Sequence, residues 1–325
     1  MQSFGYLDPA DADAAIAAAA APGGKFIAGG TDLMQLMKDD VEAPTRIVDV
    51  EKLPYGAIEA NGSGLRLGAL ARMSDVAAHP AVQRDYPVIA QALLASASPQ
   101  LRNMATMGGN MLQRTRCHYF RDTGFPCNKR NPGSGCPAIH GENRLLAILG
   151  GSEHCIATHP SDLAVALVAL DTSVELQGVG GARRTVALGD FHRLPGDTPQ
   201  IETVLQPGEL ITALVVPPSA AARRSAYLKV RDRASFEFAL VSAAVALEMQ
   251  GNTIADARIA MGGVGTKPWR LPAVEAALRG QAATPENFTA AAGLAVEGAM
   301  PAGKNDFKVK LMQRTLVRAL STVAA

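Results

Sequence analysis

All four cysteines of this 325-residue chain lie between Cys117 and Cys155. They stand in a stretch, 113–158, that is rich in Pro, Gly and Asn and has neither helical nor strand periodicity. An irregular segment of about 45 residues inside a compact domain needs something to order it. The spacing is Cys117-x9-Cys127-x8-Cys136-x18-Cys155. Between Gln113 and Arg144, six basic residues (Arg114, Arg116, Arg121, Lys129, Arg130, Arg144) face Asp122 and Glu142, a balance of 6 − 2 = +4. Four thiolates around an iron–sulfur core would order the loop, and this basic excess would offset their charge. Zinc is the main rival, with His118, His140, His154 and His159 close in sequence, although structural zinc favours Cys pairs two to four residues apart and none is present. Two disulfides, or four unreacted buried thiols, are the other readings. Spacing alone leaves all of these open.

Regular patterns resume on both sides. Lys25–Ala28 predicts a strand running through Gly29-Gly30 into a helix, Leu33–Lys38, capped by Thr31 or Asp32. Arg46–Val50 and Leu65–Ala69 predict strands, and Val88–Ala95 a helix. Beyond the cysteines, Leu163–Leu170 predicts an apolar helix capped by Ser161 or Asp162, and Ser173–Gln177 and Ile211–Val216 predict strands. A single core stops growing near ~250–300 residues, so two domains are expected. The boundary falls at Pro217-Pro218, giving 1–218 and 219–325. In the second unit, a strand around Tyr227 precedes a hairpin, Val241–Met249 and Ile254–Met261, turning at Gly251-Asn252. Helices are predicted at Pro272–Leu278, Pro285–Glu297 and Phe307–Leu320.

Composition narrows the function. A net charge of +1 argues against a dedicated nucleic-acid binder. No apolar run reaches the ~18 residues of a membrane span. Asp8, Asp11 and Asp13 precede the alanine tract where a secretory signal would carry basic residues, so no signal peptide is expected.

Three local motifs suggest a phosphate-bearing ligand. Gly29-Gly30-Thr31-Asp32, between strand and helix, allows a backbone nest at a positive helix end, or merely a tight turn. Thr106-Met107-Gly108-Gly109-Asn110 is a second Gly pair that lets a ligand approach the backbone. Ser161-Asp162 opens a helix, and Asp162 can either accept a ribityl or ribose hydroxyl or serve only as a cap. None matches the Rossmann G-x-G-x-x-G fingerprint. Gly298-x4-Gly303-Lys304 is a false P-loop, because Asn305 replaces Ser/Thr and a helix precedes it.

In order and spacing, Lys25-Phe26-Ile27-Ala28-Gly29-Gly30-Thr31-Asp32-Leu33, Ala105-Thr106-Met107-Gly108-Gly109-Asn110 and Pro160-Ser161-Asp162-Leu163 resemble the three FAD-contacting loops of the flavoprotein subunits of the xanthine dehydrogenase / aldehyde oxidase family, the molybdenum hydroxylases. Tyr227-Leu228-Lys229-Val230-Arg231 and Met261-Gly262-Gly263-Val264 are similar to that family's C-terminal domain. The insertion, with Arg116–Arg121 and Phe125–Arg130, resembles the branch of bacterial periplasmic aldehyde oxidoreductases whose flavin subunit carries an extra 4Fe–4S cluster. The 4-hydroxybenzoyl-CoA reductase type is the alternative.

The resemblance implies an α+β fold: a two-subdomain FAD-binding domain of the vanillyl-alcohol-oxidase (PCMH-like) kind, and a smaller domain of a three-stranded antiparallel sheet packed on helices. It implies FAD held by Lys25–Leu33, Thr106, Gly108, Gly109, Asn110, Ser161 and Asp162, with Lys229 near the flavin, and a cluster on Cys117, Cys127, Cys136 and Cys155. It implies a large partner with the molybdenum cofactor, a small partner with 2Fe–2S clusters and an external electron acceptor. Export would be as cargo of a signal-bearing partner to the periplasm, with a cytoplasmic location as the alternative.

Overall fold

The computed structural model describes residues 1–325. The first domain is built on two sheets. A small parallel sheet has the strand order Gly5–Leu7, Arg46–Asp49, Gly24–Ile27. The alanine tract forms a helix, Ala12–Ala20, whose N-cap Asp11 accepts from the Ala14 N–H at 2.8 Å, and it packs Ala15, Ile16 and Ala19 against this sheet. The second sheet is antiparallel, ordered Ile58–Asn61, Gly64–Gly68, Leu210–Val216, Ser173–Gln177, Arg183–Ala187. Its covering helices include Pro87–Ala95 and Asp162–Ala169, every residue of the latter buried. Three short helices, Met73–Ala78, Pro80–Asp85 and Pro99–Met104, complete this layer.

The second domain differs from its expected form by one element. The sheet has four strands, because Trp269–Arg270 adds a two-residue edge to Thr253–Gly262, Val241–Gln250 and Ser225–Val230. The central strand is apolar on both faces. Val241, Ala243, Val245 and Leu247 face the C-terminal helices, whereas Ala244 and Ala246 join the core of the first domain. Small side chains on that second face let the first domain's helix come close. The last helix, Phe307–Ala324, buries Met312, Leu316, Ala319, Leu320 and Val323, an apolar stripe at three- and four-residue spacing. Each fully buried aliphatic side chain contributes about 1.5–3 kcal/mol.

The segment 113–158 is irregular as expected, holding only the single turn His118–Arg121 and the 3-10 turn Pro137–Ile139. It has its own small core, in which Cys117, Cys127 and Cys155 pack with Tyr119, Phe120, Leu146 and Ile156. Its far end is fastened to the second domain. Lys308, fully buried, donates to the carbonyls of Leu145 (3.0 Å), Leu146 (3.0 Å) and Gly263 (2.6 Å). Burial pushes its ammonium down to about 7. No helix is long and apolar enough to cross a membrane.

Candidate functional site: a glycine-lined seam beside a cysteine cavity

The two Gly-Gly loops meet where the two sheets of the first domain join. A Cβ on Gly29 would lie 1.9 Å from the Met104 carbonyl oxygen, so the contact between the loops itself requires glycine there. Gly30 has φ +66°, a left-handed conformation that favours glycine. Across the seam, Thr106 caps the helix Met107–Met111, its Oγ1 accepting from the Gly109 N–H at 3.3 Å. Gly108 packs on Ala69, where a Cβ would approach to 2.9 Å. Gly109 differs from its neighbours: it is exposed, and a Cβ there would meet only its own cap, Thr106 Oγ1, at 3.0 Å. The third loop joins them. Ser161 Oγ donates to Asn110 Oδ1 and accepts the Ala164 N–H at 2.9 Å, so it caps its helix and ties two loops together. The strand Gly24–Ile27, one residue earlier than expected, leads into the seam with Phe26, Ile27 and the following Ala28 half-buried; Lys25 is exposed and pairs with Glu42 at 3.3 Å, and Thr31 and Leu33 are half-buried beyond the turn.

Three predicted side chains have other partners in this structure. Asp32 makes no cap bond. Its carboxylate accepts from the Arg114 N–H (2.7 Å) and from the guanidinium groups of Arg116 (2.8 Å) and Arg121 (2.9 Å), which pins the insertion to the first glycine loop. Asp162 and Lys229 come together across the domain boundary, with side chains 6% and 4% exposed and 2.7 Å between them. Asp162 also accepts from the Tyr227 hydroxyl (2.6 Å) and the Ser96 hydroxyl (3.1 Å). Both Asp162 oxygens are thus used within the protein, and neither residue faces the cavities described next. Burial, then the Asp162 charge, holds the Tyr227 phenol well above its usual range.

Two cavities share a wall beside this seam. One is a cleft open to solvent, bounded by Met111–Gln113, Pro160, His192 and the apolar side chains of Pro195, Pro199 and Ile201. The other is a narrow pocket lined by Cys117, Cys127, Cys136 and Cys155 together. Lys129, Cys155 and Ala157 border both. Lys129 is held by Glu202 (2.9 Å) and the Pro199 carbonyl (2.8 Å), and Glu202 is shared with Arg114 at 2.6 Å. Burial opposes ionisation of Glu202, but Arg114 and Lys129 overcome it and leave the carboxyl below its ordinary value.

All four cysteines are free thiols, which removes the disulfide reading. No three His, Cys, Asp or Glu side chains gather where a single metal ion could sit. The mixed Cys/His zinc set is therefore not assembled: His118 packs edge-on to Tyr119 and Phe125, His140 is exposed, and His154 is 3.5 Å from Asp197. Burial pushes the Cys117 thiol up to about 12 and Cys155 to about 11, and raises Cys136. Backbone N–H groups oppose that rise. That of Ala157 donates to Cys155 Sγ at 3.4 Å, and weaker contributions from backbone near Cys117 and Cys136 act in the same sense. Burial outweighs these groups, so without a bound cation all three sulfurs stay protonated thiols.

The fourth histidine of that set, His159, meets His192 instead, with ring centroids 4.3 Å apart. His192, Glu202 and Tyr227 were not marked as site residues in the sequence. Tyr227 opens the quoted C-terminal motif without being singled out there, whereas His192 and Glu202 lie in no motif, and only the chain's return past residue 190 brings them to the cleft.

Residues 2–219 match the family model described as the FAD binding domain in molybdopterin dehydrogenase, and residues 225–323 match the CO dehydrogenase flavoprotein C-terminal domain. The chain is 50% identical to the aldehyde oxidoreductase FAD-binding subunit PaoB of Escherichia coli (strain K12), over 97% of this chain and 96% of that protein. It is 26% identical to the carbon monoxide dehydrogenase medium chain of Hydrogenophaga pseudoflava, over 93% and 89%. A solved structure of the carbon monoxide dehydrogenase from Hydrogenophaga pseudoflava, lacking the Mo-pyranopterin moiety of the molybdenum cofactor, superposes with a TM-score of 0.77 at 27% identity, covering 99% of this chain and 97% of that one. Quinoline 2-oxidoreductase from Pseudomonas putida 86 shares the fold, with a TM-score of 0.77 at 23% identity, covering 99% of this chain and 97% of that one.

Proposed function

The chain belongs to the FAD-binding subunits of the molybdenum hydroxylases, oxidoreductase flavoproteins, and from that membership we propose that it is the FAD- and 4Fe–4S-carrying electron-transfer subunit of an aldehyde oxidoreductase complex. The observation that carries the cluster is the pocket lined by all four cysteines, where the Ala157 N–H donates to Cys155 Sγ. A cubane of iron and sulfide spaces its thiolates more widely than a single ion does. Four cysteines around a cavity, with no trio close enough for one ion, fit the larger group. The aldehyde as substrate class is supported by the 50% identity to an aldehyde oxidoreductase subunit.

Flavin and cluster, when bound, supply reversible electron acceptance, and the rest is the work of this chain. Gly30 and the open face of Gly109 let backbone approach the cofactor's phosphates. Arg114, Arg116 and Arg121 draw the insertion onto the first glycine loop through Asp32, which fixes the spacing of the two sites. Lys129 adds positive charge at their shared wall. The buried Phe120, Leu146 and Ile156 keep water from the thiolates. Electrons would arrive from a small 2Fe–2S partner fed by a large molybdenum subunit and would leave to an external acceptor. Relatives named as medium chains support such partners.

Cys127→Ser, in the purified complex, tests the ligand assignment. Iron and labile sulfide on this subunit should fall to near zero while FAD is retained. Full iron and sulfide in that variant would refute it.

A further inference from the structure

Two histidines of the cleft, His192 buried and His159 half-buried, leave one donor and one acceptor unused. His159 Nδ1 accepts the Ser161 N–H at 3.4 Å, so the ring proton sits on Nε2. That Nε2 is buried and has no acceptor. His192 Nε2 donates to the Met111 carbonyl at 2.9 Å, so its Nδ1 carries a lone pair, and that atom is also buried without a partner. The rings stand edge to face, centroids 4.3 Å apart, and both line the cleft between the glycine seam and Cys155. Buried polar atoms are rarely left unpaired, and two complementary ones on adjoining rings point to a ligand. Burial lowers the pKa of His159 well below its usual value and that of His192 to about 4, so both rings are neutral at neutral pH.

A hydrogen-bond acceptor next to a donor satisfies both atoms together. Among flat groups that suit a slot walled by Pro160, Pro195, Pro199 and Ile201, this is the edge of an imide, C=O beside N–H. The pyrimidine end of a flavin carries that edge, C4=O next to N3–H. We propose that His159 and His192 are positioning residues for the imide edge of the flavin ring, His159 Nε2–H donating to a carbonyl and His192 Nδ1 accepting from N3–H. This rests on the reading of the seam as an FAD site. It adds that the ring end of the cofactor points toward the cysteine cavity.

The test uses the complex stripped of flavin and titrated with FAD and with N3-methyl-FAD, which lacks the N3 donor. Native protein should bind FAD about tenfold more tightly than the N3-methyl analogue, the loss expected for one neutral hydrogen bond and the partner it strands. In His192→Phe, FAD binding should weaken to the level of the analogue and the discrimination should vanish. The flavin absorption bands should shift in that variant with FAD but not with the analogue. Equal binding of the two flavins by native protein overturns the proposal while leaving the FAD site intact, and it needs no variant to fold. Binding of neither flavin overturns the FAD reading itself.

Discussion

Two glycines of the seam make opposite predictions. Gly29 has no room for a side chain, because Met104's carbonyl lies where its Cβ would go. Gly29→Ala should destabilise the chain by about 1–3 kcal/mol, seen as a lower urea midpoint with or without flavin. Gly109→Ala meets only Thr106 Oγ1 and sits in a helical turn, so its stability should be unchanged or slightly raised. Its FAD retention should fall if that open face is where the cofactor backs onto the chain. Loss of stability in Gly109→Ala, with flavin uptake intact, would reverse the two roles. His192 sets a pH dependence. Its ring is neutral in the fold down to about 4, while in the unfolded chain it charges near 6.5. Between those values the unfolded state holds more protons, so stability falls as pH falls. The flavin-free chain should lose about 2 kcal/mol from this ring between pH 7 and pH 5. His192→Phe should flatten that part of the profile, and an unchanged slope would place the titration elsewhere.

At the scale of elements, local rules made much of the fold legible. The helices Leu33–Lys38 and Pro272–Leu278 and the strand Ser173–Gln177 have the bounds that their caps, prolines and alternation predict. The hairpin turns at Gly251-Asn252 for the same reason. The helices Met73–Ala78, Pro80–Asp85 and Pro99–Met104 carry too few residues to show a period, and the two-residue strand Trp269–Arg270 exists only because a neighbour pairs with it. In the site, the glycine loops and the four cysteines stand out as local patterns. The uses of Asp32 and Asp162 do not, since a carboxylate at a helix start reads as a cap whether or not an arginine or lysine arrives from far along the chain. The His159–His192 pair is hidden in the same way.

Across the whole molecule, the two domains are joined by apolar packing and by one buried ion pair. The small-residue face of Val241–Gln250 lies on the first domain's core, and Lys229 meets Asp162 within it. Removing one charge leaves the other buried alone, so Lys229→Met should cost about 3–5 kcal/mol. The double variant, with Asp162→Asn added, should recover part of that loss, measured by denaturant unfolding of all three variants against native. Additive losses would mean that the two residues act separately. The central claim is that one chain holds flavin and a cluster on either side of a shared wall. Quantifying flavin, iron and labile sulfide on this subunit, separated from its co-purified partners, tests it most directly. One FAD with about four iron and four sulfide per chain is the predicted result. Flavin with no labile sulfide would contradict it.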